Sequence, residues 1–110
     1  MPNTTTIDGD HPLVTLINVF TVAPARQAEL IAELRDFTET VVRHHPGFVS
    51  ANFHASHDGE RVVNYAQWES EEQFHAMLAD PEARKGLERT AAIAENVDPR
   101  LFTVESVHVV

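Results

Sequence analysis

Apolar residues along the chain follow two different spacings, and the changes of spacing predict the order of the secondary-structure elements. Residues 13–22 are apolar or β-branched with little interruption, which is typical of a strand buried on both faces. Residues 25–43 instead carry apolar positions every three or four residues, from Leu30 to Val41, which predicts one amphipathic helix. The chain therefore begins with a strand followed by a helix.

A hairpin follows this helix. Residues 48–57 and 61–68 predict two strands, and Asp58 and Gly59 between them form a pair that favours a tight turn. Strands joined by so short a turn must pair antiparallel. The sequence therefore adds two antiparallel strands to the first strand and helix.

The last third of the chain predicts two more helices and one more strand. Residues 70–73 match a capping box and begin a short helix that runs to about residue 78. A second helical piece is predicted over 81–96, ended by residues 98–99, and a final strand over 101–110. The resulting βαββαβ order is that of an α+β, ferredoxin-like fold with an antiparallel sheet.

Residues 1–12 are polar and aperiodic, which predicts a flexible N-terminal arm before a single domain over residues 13–110. The arm has no positively charged region followed by an apolar run, which is typical of neither a secretion signal nor a membrane anchor. We therefore expect a cytoplasmic protein that does not bind membranes.

Composition excludes several further classes of function. The 110 residues include 8 Lys and Arg against 17 Asp and Glu, and the net charge of −9 argues against nucleic acid as a partner. The chain has no cysteine, which excludes disulfides, Fe–S clusters, thiolate metal sites and cysteine nucleophiles. It also lacks the glycine-rich motifs that bind nucleotides, nicotinamide or flavin.

Both faces of the predicted sheet are apolar. Alternation along the first strand places Leu16 and Phe20 on one face and Ile17 and Val19 on the other. The helices of a ferredoxin-like unit cover only one face, and a large exposed apolar patch is unusual in a soluble monomer. We therefore expect a homodimer that packs sheet against sheet about a two-fold axis. The alternative is a monomer whose second face is shielded by the N-terminal arm.

Polar side chains interrupt the apolar rows of the first and third strands. Asn18 shares a face with Phe20, and Asn64 shares a face with Ala66 and Trp68. A buried carboxamide without a partner costs roughly 1–3 kcal/mol, so these asparagines need either each other or a ligand. A polar pocket is one solution. The other is that each asparagine bonds to nearby backbone while Trp68 belongs to the core.

Histidines and arginines offer further candidates. His44 and His45 are neighbours at a helix end, and His54 and His57 have an odd spacing on a strand, so neither pair predicts a metal site. Arg89 lies near the edge of the apolar stripe of the last helix, where a long side chain can reach inward. A solvated salt bridge is the alternative for Arg89.

Three segments of the sequence resemble a known family. They are the opening strand 14–22, residues 47–56 with the sequence GFVSANFHAS, and residues 62–70 with the sequence VVNYAQWES. Together they are similar to the antibiotic biosynthesis monooxygenase family, above all to its cofactor-independent anthrone monooxygenases. The resemblance implies a dimeric α/β barrel that oxidises an aromatic polyketide to a quinone with O2, without flavin, haem or metal.

The resemblance also implies roles for particular residues. Asn18 and Asn64 would donate hydrogen bonds to substrate oxygens, Trp68 would wall the pocket, and Arg89, with Arg84 in reserve, would stabilise negative charge. The residues expected to contact the substrate are Phe20, His54, Ala66, Phe74, His75 and Met77. Phe74 replaces a tyrosine of the family, so His54 and His75 become the candidates for moving a proton.

Three other functions fit a barrel of this kind. Haem-degrading relatives carry an axial histidine on the helices after the third strand, where this chain has Met77 and the region of Gly86. Aromatic polyketide cyclases use a similar pocket without oxidising their substrate. A non-catalytic small-molecule-binding protein is the third alternative.

Overall fold

Four strands and three helices alternate along the chain in the order that the sequence predicts. The computed structural model describes residues 3–11 and 13–110. The elements are β1 (Val14–Thr21), α1 (Gln27–Thr40), β2 (Phe48–Ala55), β3 (Arg61–Trp68), α2 (Glu71–Ala79), α3 (Pro81–Ile93) and β4 (Asn96–Thr103). The strands form one sheet of order β2-β3-β1-β4, and each neighbouring pair is antiparallel. The prediction of an α+β, ferredoxin-like fold is confirmed.

Element ends differ from the prediction by a few residues. Short 3₁₀ turns at Pro24–Arg26 and Val42–His44 flank α1, where the sequence predicts one continuous helix. The Ser70 side chain accepts a hydrogen bond from the Gln73 amide and caps α2, as predicted. In the hairpin, the Glu60 amide and the Ser56 hydroxyl both donate to the Asp58 carboxylate and hold its pKa below the usual value.

The last strand lies earlier in the chain than predicted. Asp98 and Pro99 lie inside β4 rather than ending a helix, and residues 104–110 belong to no strand, so the predicted range 101–110 is wrong. β4 is an edge strand that pairs only with β1. Proline, which has no amide hydrogen, is tolerated in a strand at such an edge.

The helices cover one face of the sheet, which we call the inner face, and they cover it unevenly. α1 packs on β2 and β3, α2 packs on β3, and α3 packs chiefly on the other two helices. Within the part of the chain that the structure describes, no helix is long and apolar enough to cross a membrane. The helices form a roof over the inner face whose backbone lies closest to β2 and β3, and it meets β1 through side chains such as Phe20, which packs with Leu30 and Leu34 of α1.

Gly86 allows α1 and α3 to approach closely. A Cβ atom at this position would overlap the ring of Phe37, which is only 4% exposed and would have to shift. Alanine favours a helix over glycine by about 1 kcal/mol, whereas overpacking a core costs about 1–3 kcal/mol. The cost of overpacking therefore outweighs the gain in helix propensity, and alanine at this position should destabilise the fold.

Gly86→Ala is accordingly expected to lower the free energy of unfolding by about 1–2 kcal/mol, measured by urea denaturation. Gly9→Ala is the matched control, because a Cβ there would make only an ordinary contact with Val107, 3.5 Å away. An unchanged or higher midpoint for Gly86→Ala would show that the ring moves aside at no cost.

The opposite face of the sheet, the outer face, is partly covered by the beginning of the chain. Gln67 accepts a hydrogen bond from the Thr5 hydroxyl at 2.8 Å and donates one to the Thr6 carbonyl at 2.8 Å. Gln67 and its cross-strand neighbour Thr15 are buried there. Further along the same face, the side chains are only half-buried, namely Ile17, Val19, Val63 and Tyr65. The arm therefore shields one part of the outer face and leaves another part open.

Candidate active site

A cavity of about 340 Å³ lies between the inner face of the sheet and the roof of helices. Its volume falls within the range of small-molecule sites, roughly 300–1,000 Å³. Apolar side chains from the sheet and from all three helices form most of the lining, among them Leu16, Phe20, Phe37, Phe48, Phe53, Ala66, Met77 and Leu101. The cavity is therefore suited to a largely apolar small molecule.

Two carboxamides lie side by side on the floor of this cavity. Asn18 on β1 and Asn64 on β3 are direct cross-strand partners, and both line the cavity. Asn18 is 8% exposed, and the side-chain oxygens of both residues are buried without a hydrogen-bond partner among the described residues. The two asparagines have thus not satisfied each other, and they keep hydrogen-bonding capacity for a ligand.

A row of aromatic side chains forms one wall of the cavity. The ring of Trp68, only 1% exposed, lies edge-on between Phe48 and Phe74, with centroid distances of 5.6 and 5.8 Å. The next ring is that of His75, 5.5 Å from Phe74. This row leads from the buried interior to the solvent-exposed rim of the cavity.

The lining contrasts with the acidic protein around it. No aspartate or glutamate is among the described residues that line the cavity, although the chain has a net charge of −9. Its charged member is Arg100 on β4, whose guanidinium lies 3.0 Å from the Asp98 carboxylate. Negative charge that develops on a ligand in this cavity consequently meets no carboxylate of the lining.

Most of the residues that the sequence singled out border this one cavity. They are Asn18, Phe20, Asn64, Ala66, Trp68, Phe74, His75 and Met77. Arg89 and His54 are not part of the lining.

Arg89 reaches away from the cavity rather than into it, which corrects the expectation of an inward side chain. Its Nε atom lies 2.6 Å from Glu33 on α1, and half of its side chain is exposed. Glu33 attracts the guanidinium across the junction of α1 and α3, which is cheaper than burying it in an apolar pocket. Arg84, the reserve candidate, donates to the Leu78 carbonyl at 3.4 Å and is also exposed.

His54 lies on the outer face because of an irregularity in β2. The pairing register shifts between Phe48 and Ser50, so one extra residue enters the strand. Such a bulge moves every later side chain to the opposite face. Phe53 therefore lines the cavity, whereas the exposed His54 bonds to the carbonyl of Asn52 at 3.1 Å.

The structure also bears on metal and haem ligands. In the part of the chain that the structure describes, no three His, Asp or Glu side chains are grouped to hold a metal ion. At the positions compared with a haem-binding histidine, Met77 is buried at the cavity and Gly86 packs against Phe37. Neither residue offers an imidazole.

The fold and the cavity define a small-molecule-binding α+β domain with an apolar pocket and a polar floor. The antibiotic biosynthesis monooxygenase family matches residues 13–89. The chain belongs to this family, which confirms the resemblance of its sequence segments.

Curated and solved relatives support the same conclusion. Tetracenomycin-F1 monooxygenase from Streptomyces glaucescens is 60% identical over 76 residues, which are 69% of this chain and 68% of that protein. A monooxygenase from the gene ActVA-Orf6 of Streptomyces coelicolor, solved with the ligand nanaomycin D, is 30% identical with a TM-score of 0.82. That match covers 91% of this chain and 94% of the other. The prediction of a monooxygenase is confirmed.

A third relative bears on the cofactor. SnoaB from Streptomyces nogalater, described as a cofactor-independent oxygenase, is 28% identical with a TM-score of 0.70, and the match covers 86% of this chain and 95% of SnoaB. This similarity supports the expectation that the chain uses O2 without flavin, haem or metal.

Sequence reasoning missed the contribution of β4 to the cavity. Val97, Pro99 and Leu101 line it, and they lie opposite Phe20, Asn18 and Leu16 of β1. The alternation of these three positions is the signal that could have found them. Asp98 and Pro99, which resemble a helix stop, obscured it.

Proposed function

We propose that this chain oxidises a polycyclic aromatic phenol of the anthrone type to a quinone, with O2 as co-substrate and no cofactor. The observation that carries the proposal is the pair of carboxamides of Asn18 and Asn64 in a mostly apolar cavity: their buried oxygens lack a donor and can accept from a substrate hydroxyl, while their NH2 groups can donate to a substrate anion. An anthrone is flat and apolar, and its oxygen atoms lie along its edges. The polar floor and the apolar walls suit such a molecule.

The first step that the pocket must assist is loss of a proton from the anthrone methylene carbon. The negative charge moves onto the ring oxygen, where hydrogen bonds from Asn18 and Asn64 would stabilise it. A preorganised donor in a water-poor site contributes roughly 3 kcal/mol to such a step. The absence of carboxylates from the described lining supports the same role, because the anion meets no like charge there.

Oxygen enters in the second step. The electron-rich anion passes one electron to O2, and the two radicals combine to a peroxide on the former methylene carbon. Loss of that carbon's remaining proton, with cleavage of the O–O bond, leaves the quinone carbonyl and releases water. The balance is one CH2 group and one O2 converted to one C=O group and one water, so the substrate supplies all four electrons. Trp68 would bound this space and donate its indole N–H to the peroxide.

The experiment that tests the proposal uses protein freed of metal with a chelator and incubated with dithranol in an oxygen electrode. We expect O2 uptake and quinone absorbance to rise together, one O2 per quinone, well above the rate in buffer. Both signals at the buffer rate would contradict the proposal. Binding of the phenol without O2 uptake would instead indicate a binding protein, and a cyclised product without uptake would indicate a cyclase.

We further propose that the enzyme is a cytoplasmic homodimer. The half-buried apolar residues of the outer face, such as Val63 and Tyr65, support a second copy packed on that face, beside the region that Thr5 and Thr6 cover. Light scattering at micromolar concentration is expected to give twice the chain mass. A single-chain mass would favour the alternative in which the arm alone shields the sheet.

A further inference from the structure

His75 occupies a place that no other titratable side chain of the described cavity lining shares. It borders the cavity from α2, and 58% of its side chain is nevertheless exposed to solvent. The oxidation proposed above must first remove a proton from a substrate buried in that cavity. A group that contacts both the cavity and the solvent is suited to carry the proton between them.

The other members of the lining cannot take this part. Among its described residues only His75 and Arg100 carry ionisable side chains, and a guanidinium keeps its proton in proteins. Phe74, the neighbour of His75, has no exchangeable proton. Imidazole, by contrast, is the side chain most suited to exchange protons near neutral pH.

Glu71 orients the ring of His75. It lies one turn earlier on α2, and its Oε1 atom is 3.3 Å from His75 Nε2. When Nε2–H donates to this carboxylate, the lone pair of the neutral ring lies on Nδ1.

The arginines on the elements near α2 have other partners in the structure. α2 packs on β3 and α3. From β3 the neighbouring cavity residues Ala66 and Trp68 are uncharged, and from α3 the guanidinium of Arg84 is engaged with the Leu78 carbonyl. Arg100 on β4 is paired with Asp98. Glu71 is the charged group that the structure pairs with His75.

We propose that His75 is a catalytic residue that moves the protons of this oxidation and that Glu71 is its positioning residue; this inference rests on the proposed function. Nδ1 takes a proton from the anthrone methylene carbon and leaves the carbanion to react with O2. The imidazolium returns that proton to the peroxide anion. Nδ1 then removes the second carbon proton as the O–O bond breaks, and it transfers this proton to the departing hydroxide to form water.

His75→Gln tests the inference directly, because the exposed site tolerates glutamine. We expect kcat with dithranol to fall about 100-fold with KM within about twofold, since a positioned acid or base contributes roughly 10²–10⁴-fold. A dependence of kcat on pH that the unaltered enzyme shows should be lost in the variant, and added imidazole should restore part of the rate. Glu71→Ala should lower kcat by about 10-fold, because Nε2–H loses the acceptor that orients the ring.

His44→Gln is the matched control, since it removes an exposed histidine beyond the end of α1, outside the cavity lining, and should leave kcat unchanged. An active unaltered enzyme together with a His75→Gln variant of equal kcat and pH profile would overturn the role of His75 and leave the proposed function intact. A variant with raised KM, normal kcat and no response to imidazole would overturn it as well, since His75 would then only shape the pocket. An unaltered enzyme without O2 uptake would overturn the proposed function itself.

Discussion

Asn64→Leu is expected to slow quinone formation about 100-fold while leaving the protein at least as stable as before. The activity falls because a donor to the substrate anion is lost, and one such donor in a dry site contributes roughly 10²–10³-fold. The stability holds because the Asn64 side-chain oxygen is buried without a partner in the described structure. A buried, unsatisfied polar atom costs about 1–3 kcal/mol, and leucine, which has a similar size, removes that atom.

Thr15→Val is the matched control for this prediction. The Thr15 hydroxyl is likewise buried without a partner, but Thr15 lies outside the cavity lining, on the outer face. Both variants are expected to keep or raise the urea midpoint at constant slope, and only Asn64→Leu should lose oxygen uptake. A large loss of stability in Asn64→Leu would mean that the asparagine serves the fold rather than the substrate.

Trp68→Phe is expected to reduce turnover at least 10-fold and to lower the free energy of unfolding by about 1–3 kcal/mol. The indole is almost fully buried between Phe48 and Phe74, so a smaller ring leaves a void. Phenylalanine also lacks the N–H group that the proposed mechanism directs at the peroxide. The variant therefore removes both packing and a hydrogen-bond donor.

Leu30→Ala is the control that separates the role of the Trp68 indole N–H in turnover from the loss of core packing. Leu30 is fully buried in a second core cluster, with Phe20, Val22, Leu34 and Val62, and does not line the cavity. Its truncation should cost about 2–5 kcal/mol yet leave kcat per folded molecule unchanged. Calorimetry measures the stability of both variants, and oxygen uptake measures their kcat. An unchanged kcat for Trp68→Phe would show that the indole N–H has no role in the reaction.

Strand periodicity was sufficient to predict several residues of the site. Alternation alone places Asn18, Asn64 and Trp68 on matching faces of their strands, because successive side chains of any strand point to opposite sides. It does not tell which residues stand opposite each other. That Asn18 lies directly across from Asn64 depends on the register between β1 and β3, which pairs residues 46 positions apart (64 − 18).

The same periodicity fails wherever one residue is added. The bulge after Phe48 reverses the faces of β2 and sends His54 outward, and the nearby Gly47 does not mark it, because that glycine precedes the strand. Arg89 shows a second kind of failure. Its place on the edge of the helical stripe follows from the 3.6-residue period, but the carboxylate that attracts it, Glu33, comes from a different helix.

The amino-acid sequence by itself determined the element order, the antiparallel hairpin, the capped helix and the faces of the first and third strands. These properties depend on interactions between residues close together in the chain, which composition and spacing record. Only the tertiary structure decided that two carboxamides meet on the floor of a cavity, that Arg89 and His54 lie outside it, and that His75 stands at its rim. These features depend on strand register and on helix packing, which are set by contacts between side chains that are far apart in the sequence.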